Sequence, residues 1–303
     1  MSTFRSGFVS IFGRPNAGKS TLLNALVGSK VAIVADKPQT TRTAIQGVWT
    51  DDEAQIIFID TPGIHRPESP IQKRMMESVR ASVDERDLLI YLVDATVRPG
   101  EQDREALRMI AQVQTPALLV VNKIDLLDNR EQMLPVLDFF KDLHPFVNHL
   151  PISALQAEDV LKLRGEITAC LPEGPAYFPP DHVTDQPARF IASELVREKI
   201  LLETRQEVPH SVAVLIDKWE ELQGLVRIFA TIYVEREGQK GIIIGSGGSM
   251  LRKIGTAARE EMEKLFDVKI YLDLHVKVQP NWREKPAFLN ALDWRTMAGS
   301  DDQ

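Results

Sequence analysis

The chain has 303 residues, with 36 Lys+Arg against 43 Asp+Glu and a formal charge of −7. That length accommodates two domains with their own cores, and that charge excludes a generally basic nucleic-acid coat while leaving room for a local basic groove. A single cysteine, Cys170, excludes an intramolecular disulfide framework and suits a reducing cytosol; no apolar run approaches the ~18 residues of a membrane span, and Gly7 and Arg14 interrupt any N-terminal signal pattern.

Phe8–Phe12 reads as a buried strand, and Lys19–Leu26 as the start of a helix. Between them stands Gly13-Arg14-Pro15-Asn16-Ala17-Gly18-Lys19-Ser20, followed by Thr21, which fits G-x-x-x-x-G-K-[ST]. Glycines there let backbone N–H groups approach phosphate oxygens, and the helix N-terminus adds its dipole. Lys19 then supplies a point charge to the outer phosphates, and the Ser20 hydroxyl one position on Mg²⁺. Lys30–Val34 is followed by a polar loop, Asp36–Arg42, in which Gln39-Thr40-Thr41-Arg42 is similar to the x-T-R pattern of many P-loop GTPases, a resemblance that implies Thr41, rather than Thr40, as a second Mg²⁺ ligand. Gln46–Thr50 and Gln55–Ile59 read as strands, the second ending at Asp60-Thr61-Pro62-Gly63. An aspartate at a strand's C-terminal end lies at the ligand edge of an open α/β sheet, where it holds Mg²⁺ through water. The Gly63 N–H is expected to meet a γ-phosphate, so that the segment after it senses that phosphate. Gln72–Glu85 reads as an exposed amphipathic helix.

Leu88–Asp94 is a third apolar strand, Glu101–Gln112 is helical, and Ala117–Val121 leads into Asn122-Lys123-Ile124-Asp125. In N-K-x-D at a strand end the Asp125 carboxylate accepts from guanine N1–H and the N2 amine, a donor pair that adenine lacks. His149–Ser153 supplies a sixth strand and Ser153-Ala154-Leu155 an amide for guanine O6; helix Ala157–Cys170 closes the domain. These motifs predict binding of GTP/GDP with Mg²⁺, and Lys19, Thr41, Asp60 and Gly63 as the catalytic set. In this order they resemble the GTPase domain of the translation-factor superfamily, over residues 5–171. Ile64 stands where Ras-like members carry a water-orienting glutamine, and His65 cannot be given that work from sequence. Slow intrinsic hydrolysis that needs a partner or a monovalent cation is therefore expected. Asn16 is similar to the asparagine that helps bind K⁺ in potassium-activated relatives.

Residues 172–187, with Pro172, Pro175, Pro179, Pro180 and Pro187, read as a semi-rigid extended connector. Residues 188–285 form a second domain: helix Ala188–Glu207, then strands Val212–Lys218 and Leu225–Val234 as a hairpin across Trp219–Gly224. A glycine loop, Gly241–Gly248, helix Met250–Phe266 and the alternating strand Val268–Val278 complete it. Ile244-Gly245-Ser246-Gly247-Gly248 fits I-G-x-x-G, and with this element order resembles a type II KH domain. Such a loop carries backbone close along a sugar-phosphate chain of about four unpaired nucleotides, with Arg252 and Lys253, joined by Lys240, adding phosphate contacts. Residues 188–303 carry 17 Lys+Arg and 18 Asp+Glu, which favours a short shape- and base-read RNA site over broad electrostatic adhesion. The histidines show no metal-ligand spacing, so no zinc site is expected, and Trp219, Trp282 and Trp294 read as packing residues.

The fold class is thus an α/β P-loop GTPase domain, an open mostly parallel sheet with helices on both faces, followed by a smaller α+β type II KH domain and a tail, 286–303, of open role. Together the two halves resemble the bacterial Era family of Era/TrmE-like GTPases, nearly throughout to Lys285, including Thr184-Asp185-Gln186-Pro187 and Glu207-Val208-Pro209-His210-Ser211. The resemblance implies a monomeric GTPase that binds the 3′ end of 16S rRNA and acts in 30S subunit assembly and maturation, coupled to growth or cell cycle. It implies a cytoplasmic location with peripheral attachment to the inner face of the cell membrane. Two other readings stand beside it: a GTPase whose second domain docks a protein or membrane surface, and a non-hydrolysing sensor of the GTP/GDP ratio.

Overall fold

The computed structural model of the chain describes residues 4–37, 39–64, 67, 69–83, 86–204 and 208–294. Short, continuous apolar runs with no polar alternation demand burial on both faces, which a mostly parallel sheet between helices provides. The runs fold as β1 (Arg5–Gly13), β3 (Ala54–Asp60), β4 (Leu88–Asp94), β5 (Ala117–Asn122) and β6 (Asn148–Pro151), with β2 (Ile45–Thr50) antiparallel at one edge. The strand order is β2-β3-β1-β4-β5-β6. Helices α1 (Lys19–Val27), α2 (Pro70–Ala81), α3 (Glu101–Ile110), α4 (Leu134–Phe140) and α5 (Ala157–Cys170) flank it. Alternate strand residues serve opposite faces: Leu89, Tyr91 and Leu119 pack with Met76, Val79, Leu107 and Phe140 from α2, α3 and α4. Helix α2 begins at Pro70, two residues before the predicted start, because proline suits the first helical turn. The predicted end of that helix, residues 84–85, lies outside the described residues.

Register sets the site. Asp60 pairs with Ile11, Gly13 with Leu92, and Asp94 with Asn122, so the functional turns leave the sheet at one C-terminal edge.

The proline-rich run does not stand free of the sheet as an extended connector would. Ser6 N donates to Pro172 O at 3.2 Å, Tyr177 N and Phe178 N donate to Gln55 Oε1 at 2.7 and 2.9 Å, and Val48 N donates to Val183 O at 2.8 Å. Along β2 the run covers the outer edge, with Val48 N bonded to Val183 O and Gln46 O accepting from Thr184 Oγ1, where the sheet would otherwise end in open backbone groups. The chain divides into two contact-defined units after Asp185; the second also takes in Ile33–Thr40 and Ser69–Ile71.

The second unit comprises α6 (Ala188–Glu203), α7 (Val208–Ser211), β7 (Ala213–Leu222), β8 (Leu225–Val234), α8 (Glu237–Ile244), α9 (Ser249–Phe266), β9 (Lys269–Val278) and α10 (Pro286–Ala291). Its sheet runs β7-β8-β9, antiparallel then parallel, and Leu195, Val196, Ile228, Ile232, Ile254, Ala258 and Met262 form one core. The hairpin turn is tighter than predicted, because β7 continues to Leu222 through an irregularity between Ile216 and Lys218. Helix α8 replaces the first half of the predicted glycine loop. The Gln239 side chain caps it by accepting from Glu235 N and Arg236 N, both at 3.0 Å, which offsets Gly238 and Gly241 inside the helix. Trp282 is fully buried as expected, its Nε1 donating to Ser211 O at 2.9 Å. In the tail, Phe288 of α10 lies 5.4 Å from the Trp282 ring.

Candidate nucleotide and RNA sites

The turn between β1 and α1 is built around its last glycine. Gly18 has φ 95°, and a Cβ there would lie 2.4 Å from Asn122 Nδ2, so only glycine fits. Asn16 also takes a left-handed φ, 64°, and its side chain is exposed. Lys19 is buried, and its Nζ donates to the carbonyls of Gly13 and Arg14 at 3.2 and 2.9 Å, at the centre of the loop. Arg14 reaches outward to the buried carboxylate of Asp103 at 3.3 Å, which also accepts from Tyr91 OH at 2.8 Å. Burial and the neighbouring Asp103 charge push the Tyr91 phenol up, so it stays a neutral donor.

Three oxygens converge beside Lys19. Ser20 Oγ donates to Asp60 Oδ2 at 2.6 Å, Thr41 Oγ1 donates to the same atom at 3.2 Å, and the two hydroxyls are 2.9 Å apart. Asp60 Oδ1 is buried with no hydrogen-bond partner among the described residues. A hard oxygen-only cluster with an orphaned carboxylate oxygen fits Mg²⁺, which takes one or two protein groups and keeps its waters. Burial raises the Asp60 pKa, against the lowering effects of Lys19, Ser20, Thr41 and the Thr61 backbone. Thr61 Oγ1 donates to Ile11 O at 2.8 Å and Ile64 N to Gly13 O at 3.2 Å, while Pro62 is buried beside them. The Ile64 side chain belongs to the core with Phe12, Met76 and Tyr91, so residue 64 has nothing to offer an attacking water. His65 lies outside the described residues.

Asn122 braces the edge: its Nδ2 donates to Ala17 O and its Oδ1 accepts from Ala154 N, both at 2.9 Å, tying the phosphate loop to the turn after β6. Lys123 takes φ 66° and pairs with Asp94 at 2.6 Å. Ile124 and Asp125 open a 3₁₀ turn, which leaves the Asp125 side chain exposed at the rim. Ser153 N donates to Asp159 Oδ2 at 2.8 Å, whereas Leu155 N has only a 3.3 Å contact with Ser153 Oγ and is the least engaged amide of that turn. Asp94, Asp103 and Asp159 thus shape the site although sequence spacing did not single them out. For Asp94 the signal was available in the register, which places it beside Asn122.

In the second unit Ile244 ends α8, Gly245 turns with φ 71°, Ser246–Gly248 form a 3₁₀ turn, and Ser249 opens α9. A Cβ on Gly245 would lie 2.7 Å from Met250 Cβ, so the loop can run this close to α9 only with glycine. Arg252 and Lys253 are exposed on the first turn of α9, with Lys253 paired to Glu203.

A family model described as a 50S ribosome-binding GTPase matches residues 8–123, and a KH-domain model matches residues 207–283. The chain is 46% identical to the GTPase Era of Ruminiclostridium cellulolyticum over 97% of its own length and 99% of that protein's, and 49% identical to that of Geobacter metallireducens over 96% and 98%. The chain belongs to the GTPase Era family. It is a P-loop GTPase carrying a C-terminal KH domain. Two solved Era structures overlay it across 96% of this chain and 99% of theirs: Aquifex aeolicus Era bound to GDP·AlF₄⁻, with TM-score 0.91 and 39% identity, and Era in complex with MgGDPNP and nucleotides 1506–1542 of 16S ribosomal RNA, with TM-score 0.92 and 40% identity.

Burial also gives this Era-family site a pH signature. It lowers the Lys19 pKa from 10.5 to about 8, with Asp60 partly opposing the shift. Nucleotide phosphates favour the charged ammonium, so GDP affinity should be flat below pH 8 and fall up to tenfold per pH unit above it. The sign for folding is opposite: the folded Lys19 pKa is the lower one, so the unfolded chain binds more protons between about pH 8 and 10.5. Through that window the Lys19 contribution to stability of the nucleotide-free protein rises with pH. Fluorescence titration of GDP from pH 7 to 9.5 checks the first part; an unchanged affinity at pH 9.5 would contradict it.

Proposed function

We propose that this GTPase is a switch that binds the single-stranded 3′ end of 16S rRNA through its KH unit and acts in maturation of the small ribosomal subunit. The observation that carries the reading is the near-complete overlay on an Era solved with both MgGDPNP and 16S rRNA nucleotides. In the nucleotide site Gly13–Ser20 and Thr21 cradle the phosphates and Lys19 neutralises charge on the outer ones. Ser20 and Thr41 would hold Mg²⁺ directly, with Asp60 through water, and the Gly63 backbone N–H meets the γ-phosphate. When bound, Mg²⁺ would supply positive charge against the phosphate oxygens of the nucleotide. Asp125 reads the guanine edge, Lys123 and Ile124 pack beside it, and an amide of Ser153–Leu155 meets O6.

With Ile64 in the core, the attacking water is oriented by something other than residue 64. Asn16, exposed on the phosphate loop, is the candidate K⁺ ligand, and bound RNA the second source of activation. On the RNA side Ile244–Gly248 form the floor, with Arg252 and Lys253 as phosphate contacts. Cytoplasmic residence with peripheral attachment to the membrane's inner face belongs to the same proposal and is carried by the family resemblance.

The test is single-turnover GTP hydrolysis, in KCl and in NaCl, with and without an RNA copying the 3′ end of 16S rRNA. Stimulation by that RNA is expected, and its loss when Ser246 and Gly247 are both replaced by Asp, whose charge repels phosphate. No stimulation, together with equal RNA affinity in the GTP-analogue and GDP states, would remove the coupling. Equal rates in the two salts would remove the K⁺ role. RNA binding that survives S246D/G247D would return this loop to a structural turn.

A further inference from the structure

The loop that precedes Thr41 is not a solvated tether. Ile33 is buried in the core of the second unit with Ala192, Leu195 and Val196, and Ala35 packs against the same cluster. Val34 N donates to Glu198 Oε1 at 2.7 Å, and Arg197 Nη2 donates to the carbonyl of Thr40. Both α6 side chains are only 2% exposed, which is rare for charged groups and requires partners. Arg197 has them for Nε and Nη2 in Glu194, at 2.7 and 2.6 Å, while its buried Nη1 has none among the described residues, and Glu198 has Lys199 at 2.8 Å.

Thr40 C=O lies in the same planar peptide as Thr41 N. A donor that fixes that oxygen fixes the plane from which the Thr41 side chain departs, and Thr41 Oγ1 stands within hydrogen-bond reach of both Ser20 and Asp60. We propose that Arg197 and Glu198 are positioning residues for GTP hydrolysis: by holding the backbone at Val34 and Thr40 they place the Thr41 hydroxyl for the metal. The inference rests on the reading of Thr41 as a metal ligand.

Discrimination between nucleotides separates positioning from mere support of the fold. GDP is held through the phosphate loop and the base and does not need Thr41, whereas an ordered threonine ligand belongs to the γ-phosphate state. Three full-length proteins are compared: wild type, Thr41→Ala and Arg197→Met, the last chosen to keep side-chain volume while removing the donor to Thr40. Affinities for Mg²⁺–GDPNP and Mg²⁺–GDP are measured, with the Mg²⁺ concentration needed for half-maximal hydrolysis. Both variants should lose about tenfold in GDPNP affinity, the cost of one misplaced hydrogen-bonding group, raise the Mg²⁺ requirement, and keep GDP affinity within about twofold. Should Arg197→Met be insoluble, Arg197→Lys, which retains charge toward Glu194 but not the two-pronged reach, should shift the same way. Arg197 variants that match wild type, or that lose GDP and GDPNP affinity equally, overturn the inference while Thr41→Ala still discriminates. If Thr41→Ala itself fails to discriminate, the reading of Thr41 falls, and the inference with it.

Discussion

Replacing Asp125 by Asn should lower GTP affinity by about 10³-fold or more while bringing in xanthosine triphosphate as a ligand. In the proposed site guanine would turn two donors, N1–H and the N2 amine, toward this residue, and a carboxylate accepts from both. The asparagine amide keeps one acceptor but faces the amine with its own NH₂, donor against donor, and leaves both unpaired when buried under the base. Xanthine carries an oxygen in place of that amine and so accepts from the NH₂, restoring two complementary bonds. The substitution isolates specificity from stability because Asp125 is an exposed rim residue in a 3₁₀ turn, outside the core. Competition of GTP, XTP and ATP against a fluorescent GDP measures it. A variant that still ranks GTP first would mean that another group reads the base edge.

The parts of this site legible in the sequence are those whose chemistry depends on local spacing. Gly13 through Ser20 must be contiguous to wrap phosphates, and Asp125 must follow Asn122 by three to clear the strand end, so linear patterns reveal them. The strand ends were legible for the same reason, since a buried parallel strand is a short apolar run stopped by a polar residue. Helix α8 was not: its second half, Gly241–Ile244, reads in the sequence as part of a glycine loop that runs on to Gly248. What makes a helix of them is the Gln239 side chain capping two backbone amides, together with burial of Ile243 in the core. Asp103 and Asp159 were invisible because their partners, Arg14 and Ser153, are brought to them by the fold rather than by a fixed motif. The most distant case is the Thr40–Arg197 contact, 157 residues apart, where a loop that composition marks as solvated is clasped by buried charges.

Lys19 carries the largest expected effect on the chemical step. Lys19→Met should lower single-turnover hydrolysis at saturating GTP by about 10²–10³-fold, the scale for losing one preorganised charge at a developing anion. The same change should leave the nucleotide-free protein as stable or make it more stable, a combination that distinguishes a functional charge from a structural one. The reason lies in what the ammonium is doing without nucleotide. It is buried, among the described residues it donates to two carbonyls of its own loop, and its pKa is pulled down to about 8 because desolvation outweighs attraction to Asp60. Methionine fills similar volume without that desolvation cost, and Asp60, already pushed toward its neutral form by burial, can take up a proton once its counter-charge is gone. Nucleotide-free Lys19 is therefore held in a state that phosphate relieves, and its destabilising contribution is part of how the loop is kept ready for an anion. The variant should also lose the fall in GDP affinity above pH 8, since no other group is invoked for that slope. Hydrolysis reduced by less than tenfold, or thermal stability clearly lowered, would assign Lys19 to holding the loop together rather than to the phosphates.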